Sequence, residues 1–427
     1  MFITAKRRIA LVSVDGDPAT RIGQEEVGCR NVYVRQVGES LAQQGWQVDL
    51  FTRCSRADQP KVIQHRSNCR TVRLVAGPPD RISRDQLFSY LPEFVQQFHA
   101  FRQQEGIEYP LIHTNHWLSA WVGMELKKHS SLIQVHTFHS LGALKYQVVP
   151  VMPSQYETVA ARLAVEKACL ERADWIVATS PQEKQYMKVL VPHQDCIEMI
   201  PCGTDVDHFG SISRPVARQR LGISPQAKVV MYVGKFSQRK GIETLVRAVA
   251  QSIFRTSEDL KLIIAGGSDP NREDSAECDR IKQVVAELGL SNLTTFPGYI
   301  ADVDLPAYYA AADVCVVPSY YEPFSPVAVE AMASGTPVVA SNVGGLQFTV
   351  VPEVTGLLVP PKDEVALAQA VDRVLANPDW RDQLGQTGRQ RAEIALSWDS
   401  VASRLAHLYT KLLTQSAQSP QPLHVAA

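Results

Sequence analysis

Eleven short runs rich in Val, Ile and Leu, arranged as two series, constrain the fold of this chain more than any other feature. The first series reads RIALVSV, WQVDLFT, TVRLVAG, PLIHTN, LIQVHTF and WIVATS; the second reads KVVMYVG, LKLIIAGG, LTTFPG, VCVVPS and TPVVAS. Each run leads toward a helical pattern. Near-continuous apolar strands interleaved with helices specify parallel sheets covered on both faces. Two series predict an α/β chain of two doubly wound, Rossmann-like domains facing each other across a cleft. In such sheets ligands bind beyond the carboxyl ends of the strands.

The stretch MIPCGTDVDHFGSISRP lies between the series and reads as the connection. The expected organisation is an N-terminal Rossmann-like domain over 1–203 and a C-terminal one over 204–395. A C-terminal helix over 396–414 is expected to pack back toward the first domain, with a small, polar, loose tail over 415–427. A length of 427 residues is ample for two buried cores. A net charge of −1 argues against a sequence-independent nucleic-acid binder. The early run IALVSV meets Asp15 and is too short for a signal-peptide core. No stretch approaches the roughly 20 apolar residues of a membrane helix. Eight cysteines show neither a CxxC pair nor zinc spacing, which predicts a cytoplasmic, reduced protein. The oligomeric state is left open.

Residues 322–335, EPFSPVAVEAMASG, follow the strand VCVVPS. Ser325 suits a helix N-cap, Pro326 the first helical position and Gly335 the stop. Glu322 then lies in a loop at a strand's carboxyl end, and Glu330 just over one turn into an apolar helix. Carboxylates accept paired sugar hydroxyls. A helix start favours an anion such as a diphosphate. Together they describe a nucleotide-sugar site, although a solvated helix glutamate and an ordinary loop glutamate fit the same pattern. The strand KVVMYVG runs into KFSQRKG, where Lys235 and Lys240 could neutralise a departing diphosphate. A basic surface loop is the plainer alternative.

EPFSPVAVE resembles the E-x7-E motif of retaining, family 4 glycosyltransferases of the two-Rossmann-domain (GT-B) type. VEAMASGTPVVASNVGGL, TGLLVPP, GKFSQRKG and IPCGTDVDHF extend the likeness. It implies that Glu330 binds the nucleotide ribose. Glu322 would meet the donor sugar hydroxyls, with Phe324, Ser325 and Pro326 nearby, and Lys235 and Lys240 would hold the diphosphate. Lys235 stands where the family usually has Arg, which keeps the charge but loses the bidentate fork. Ser325 replaces the common Gly. GCRNVYV resembles the family's GGxNVYV loop near the donor phosphates: Gly28 matches, and Cys29 replaces the second Gly. Asn31 would face the acceptor.

HTFHSLGALK carries His136, His139 and Lys145. Two histidines at i and i+3 without a carboxylate or cysteine cluster make a poor metal site, so no metal is expected. By the resemblance His139 lies against the donor sugar as a catalytic residue, beside Lys240 and Glu322, while His136 supports the strand end. Arg84 in GPPDRISRDQL and Arg162 in RLAVEKACLERADW match cations that relatives use for an acceptor phosphate. Lys145 and Ser140 extend the same motif.

HSLGALK followed by ATSPQE resembles the sucrose-phosphate synthases, which transfer glucose from UDP-glucose to fructose 6-phosphate. HTNHWLSAWVG and GPPDRISRDQL resemble the inositol-phosphate N-acetylglucosaminyltransferases at least as much, with His116 where those relatives have Tyr. The first is the preferred expectation, giving sucrose 6-phosphate; transfer to inositol 3-phosphate is the alternative. No cofactor is expected, the nucleotide sugar being a co-substrate. No GxGxxG with an acidic residue about 20 positions on supports a dinucleotide oxidoreductase. A non-catalytic nucleotide-sugar binder remains open.

Overall fold

The computed structural model describes residues 7–20, 28–80, 82–190, 194–267 and 273–418. The first sheet comprises β1 (Arg8–Val12), β2 (Gln47–Arg53), β3 (Val62–Arg66), β4 (Cys69–Leu74), β5 (Leu111–Asn115), β6 (Ile133–Thr137), β7 (Trp175–Ala178) and β8 (Ile197–Met199). Its strand order is β3-β4-β2-β1-β5-β6-β7-β8. The second comprises β9 (Lys228–Val233), β10 (Leu260–Ala265), β11 (Thr294–Gly298), β12 (Val314–Val317), β13 (Val338–Ser341) and β14 (Gly356–Val359), in the order β11-β10-β9-β12-β13-β14. Each of the eleven apolar runs contains a strand. Pairing is parallel except between β3 and β4. Strand β3 was not anticipated: VIQHR is an exposed, polar edge strand with no apolar run to announce it.

Alternation explains the burial. Ile9 and Leu11 of β1 enter one core while Ala10 and Val12 enter another on the opposite face. In β9, Val229 and Met231 face one way and Val230 and Tyr232 the other. Both strands are central, so both faces must be apolar.

Each sheet reverses its winding at one place, between β1 and β5 in the first and between β9 and β12 in the second. Loops leaving adjacent strands in opposite directions open a crevice there. Asp15 follows β1 and His116 follows β5. Lys240 follows β9 and Glu322 follows β12. The switch points therefore bring together residues that are far apart in sequence.

The chain crosses between the sheets twice, and the crossings are zipped together. Thr204 N–H donates to Leu396 O at 2.8 Å, and Trp398 N–H donates to Thr204 O at 3.2 Å. Helix Trp398–Gln418 then lies against helix Cys29–Gln43 of the first sheet. Tyr33 meets Trp398 edge-on at 5.8 Å, and Trp46 meets Tyr409 at 5.7 Å. Such pairs add roughly 0.5–1.5 kcal/mol each beyond area burial. This helix runs to Gln418, past the expected boundary at 414. The rest of the expected tail lies outside the described residues, as does the Cys29 side chain. Among the described residues no helix is long and apolar enough to cross a membrane.

Candidate active site

A cleft of about 670 Å³ opens between the carboxyl ends of the two sheets. From the second sheet it is lined by Lys235, Arg239, Glu322, Phe324, Pro326 and Glu330, and from the first by Gly28, His139, Ser140 and Lys145. Residues expected on both sides of a transfer reaction thus meet in one space.

Helix Pro326–Ala333 forms as its sequence dictates. The Ser325 hydroxyl accepts from Ala328 N–H at 3.4 Å, Pro326 opens the first turn, and Gly335 follows with φ 73°. Ser325 is itself buried and spent on this cap. The loop before it is held from outside by a glycine pair. Gly345 N–H donates to Glu322 O at 2.9 Å. A Cβ at Gly345 would sit 2.3 Å from Pro323 O, and one at Gly344 would sit 2.2 Å from Glu322 O. Only glycine lets the two backbones approach so closely.

The Glu322 carboxylate is fixed by two partners. Lys240 Nζ ion-pairs with Oε2, and the Ser319 hydroxyl donates to the same oxygen at 3.1 Å. Lys240 therefore stands behind Glu322, while Lys235 lines the cleft itself. Glu330 accepts a 2.8 Å bond from the Tyr309 hydroxyl. Its carboxyl is raised to about 7, chiefly by desolvation; the Tyr309 bond opposes the rise and the Asp302 charge adds to it. Glu330 is thus no ordinary solvated helix residue.

On the opposite wall, His139 adopts φ 59°, a left-handed conformation uncommon outside glycine. Asn115 donates through Nδ2 to His113 O at 3.2 Å, which turns its Oδ1 toward His139. His139 Nε2–H donates to that oxygen at 2.8 Å. The ring packs edge-on against Tyr33 at 4.6 Å. Burial, and then the Arg30 charge, hold His139 well below the usual histidine range, so it is neutral near pH 7. His136 bonds to Thr114 Oγ1 at 2.8 Å beneath the strand ends, the supporting place expected of it.

The acceptor candidates form two groups. Arg162 is buried. Its Nε donates to Glu166 Oε1 at 2.7 Å and its Nη2 to Ser140 O. Glu166 Oε2 in turn accepts from Gly142 N–H at 2.7 Å. Arg162 thereby anchors the HSLG loop as well as supplying charge. Lys145 is lowered to about 8, first by burial and then by Arg162, Arg84 and Arg239; Glu166 opposes the shift. The second group centres on Asp15. Its carboxylate meets Arg84 Nε at 2.8 Å and Arg30 Nη2 at 2.9 Å, with His116 Nδ1 at 3.6 Å. His116 adopts φ 73° and is lowered to about 3, by burial first and then by Arg30. Asn31 does not line the cleft. Its Nδ2 donates to Asp17 O at 3.1 Å and so holds the loop after β1.

Sequence reasoning missed Arg239, Tyr321, Asp15 and Asn115. Arg239 sits inside the loop KFSQRKG and Tyr321 directly before EPFSP, but nothing local distinguishes them from surface residues. Among the described residues, no group of three or more His, Cys, Asp or Glu side chains is placed to hold a metal ion.

Residues 30–203 match the glycosyl transferase 4-like domain, and residues 213–391 match glycosyl transferases group 1. The solved sucrose-phosphate synthase from Thermosynechococcus elongatus is 50% identical, with a TM-score of 0.85, covering 96% of this chain and 99% of that one. A D-inositol 3-phosphate glycosyltransferase of Corynebacterium jeikeium is 35% identical over 410 residues, which is 95% of this chain and 97% of the relative. Anabaena HepE, solved in complex with UDP and glucose, shares the fold at 21% identity and a TM-score of 0.73, over 95% of this chain and 99% of that one. With two doubly wound sheets facing across a cleft and both domain matches in order along it, the chain belongs to the GT-B glycosyltransferases and resembles sucrose-phosphate synthase.

Proposed function

We propose that this chain is a cytoplasmic, retaining, metal-independent hexosyltransferase that moves glucose from UDP-glucose to fructose 6-phosphate, giving sucrose 6-phosphate. The observation that carries this reading is a gathering of cations around the cleft, with Lys145 on the first sheet's side and Lys235 and Arg239 on the side of the two glutamates. Burial first, and then the charges of Arg162, Arg84 and Arg239, lower Lys145. Like charges gathered at a cleft favour an anion, and a sugar phosphate supplies one. The 50% identity to the solved sucrose-phosphate synthase supports fructose 6-phosphate as that anion's carrier. The names of the curated relatives favour a second reading, transfer to inositol 3-phosphate. Free thiols at Cys54, Cys69, Cys169, Cys196 and Cys315 support a reducing compartment.

In this reading the ribose hydroxyls donate to Glu330, and the glucose hydroxyls donate to Glu322. Lys235, Lys240 and the N-terminus of helix Pro326–Ala333 offset the diphosphate charge as the bond from the anomeric carbon to the phosphate oxygen breaks. The acceptor hydroxyl attacks that carbon from the face the diphosphate leaves, and its proton passes to a diphosphate oxygen. No carboxylate nucleophile is needed. A neutral His139 beside the sugar suits a carbon gaining positive charge, because a protonated ring there would oppose the step.

A matrix of nucleotide sugars against phosphorylated and free acceptors tests this, read by nucleotide release, product mass and anomeric configuration. UDP-glucose with fructose 6-phosphate should give the highest rate, and a strong chelator should leave it unchanged. Preference for free fructose or inositol 3-phosphate overturns the acceptor assignment. Loss with chelator, restored by a divalent ion, overturns the metal-free mechanism.

A further inference from the structure

We propose that Tyr321, carried by the second sheet, is an acceptor-binding residue whose hydroxyl completes the acceptor pocket from across the cleft. This deepens the function proposed above and rests on it.

Tyr321 directly precedes Glu322 in the loop after β12, on the donor side. Its backbone oxygen accepts from Arg239 Nη1 at 3.2 Å, which fixes the loop where Arg239 also faces the cleft. The side chain points the other way across the space, lining it together with Ser140, Lys145 and Thr179 of the first sheet. The Ser140 side chain neighbours the Tyr321 hydroxyl, and the charges of Glu183, Arg162 and Glu166 act on it. All four belong to the first sheet's side of the cleft, with Ser140 on its surface and the other three behind it.

Yet this hydroxyl is buried, and its polar neighbour, the Ser140 side chain, stands outside normal hydrogen-bond geometry, so the contact is at best a long one. A second buried polar atom on the same wall is in the same state. Glu183 Oε2 accepts from Thr179 N–H at 2.7 Å and from the Thr179 hydroxyl at 2.8 Å, while Oε1 has no partner. A buried polar atom left unpaired is costly, so such atoms are found where a ligand or water supplies the bond. A tyrosine hydroxyl donates and accepts, which suits a sugar hydroxyl or a phosphate oxygen. Its tyrosine ring offers the flat apolar surface that a sugar face covers. Because the ring and the cations come from opposite sheets, the acceptor is gripped fully only when both sheets are in place. This ties acceptor binding to the donor loop that carries Glu322.

The test is Tyr321→Phe, which keeps the ring and removes one oxygen. KM for fructose 6-phosphate should rise about 5- to 20-fold, the range of one lost hydrogen bond. Affinity for UDP, read by calorimetry, and acceptor-independent hydrolysis of UDP-glucose should stay within about twofold. An unchanged acceptor KM, or equal losses toward donor and acceptor, overturns the proposal. If the wild type prefers inositol 3-phosphate, the sucrose 6-phosphate reading falls while the Tyr321 effect is read on that acceptor. A wild type that hydrolyses donor but uses neither acceptor overturns both.

Discussion

Tyr309 donates a 2.8 Å hydrogen bond to Glu330 Oε2 and fixes the carboxylate assigned to the donor ribose. Burial nevertheless raises that carboxyl to about 7, far above the usual 4.5. Ribose hydroxyls bind the ionised form. UDP affinity should therefore tighten as pH rises from 6 to 8, by up to about tenfold per unit below 7. Glu330→Gln should bind more weakly at pH 8 and lose this dependence. Stability moves the opposite way. The folded protein keeps a proton that the unfolded chain releases near 4.5, so this group's contribution falls as pH rises from about 4.5 to 7. Calorimetric titration at three pH values checks the first claim, and a flat wild-type profile refutes it.

Lys240 and Glu322 pair across the second switch point, both largely shielded from solvent. Lys240→Ala should cost on the order of 10²-fold in turnover through lost stabilisation of the leaving diphosphate. It also strands a buried carboxylate, a defect worth roughly 3–5 kcal/mol in buried pairs. Adding Glu322→Gln should restore much of the melting temperature and none of the turnover. Near-normal turnover in Lys240→Ala would falsify the leaving-group role.

Arg84 and Arg162 were expected to act alike, but their surroundings separate them. Arg84 is 57% exposed in its side chain and bound to Asp15, whereas Arg162 is 5% exposed and holds both Glu166 and the Ser140 carbonyl. Removing either should reduce kcat/KM with fructose 6-phosphate about 10- to 100-fold, with a much smaller loss on free fructose. Only Arg162→Ala should also lower the melting temperature. Equal losses on both acceptors would reassign the arginines to the fold or the donor site.

Gly345→Ala places a methyl group 2.3 Å from Pro323 O. The loop bearing Glu322 must shift, at a cost of about 1–3 kcal/mol. UDP-glucose affinity should fall at least tenfold while far-ultraviolet circular dichroism is unchanged. Wild-type affinity in this variant would show that the glycine pair does not position the donor loop.

The sequence by itself determined the elements and the local motifs. Val/Ile/Leu runs that alternate with helical patterns specify parallel strands covered on both faces, and Ser325-Pro326 with Gly335 bounds a helix from local sequence. Glu322, Glu330 and Lys235 were legible because strand-end loops and helix starts are defined within a few residues. Tertiary structure decided everything that depends on partners distant in the chain. Neighbouring strands β9 and β12 set Lys240 behind Glu322, and β1 beside β5 gave Asp15 to Arg84. The Asn115 amide fixed the His139 proton, and the meeting of the two sheets set Tyr321 in one cleft with Ser140 and Lys145. Charge and hydrogen-bond state are properties of the surroundings, and a residue's type does not carry its surroundings along the chain.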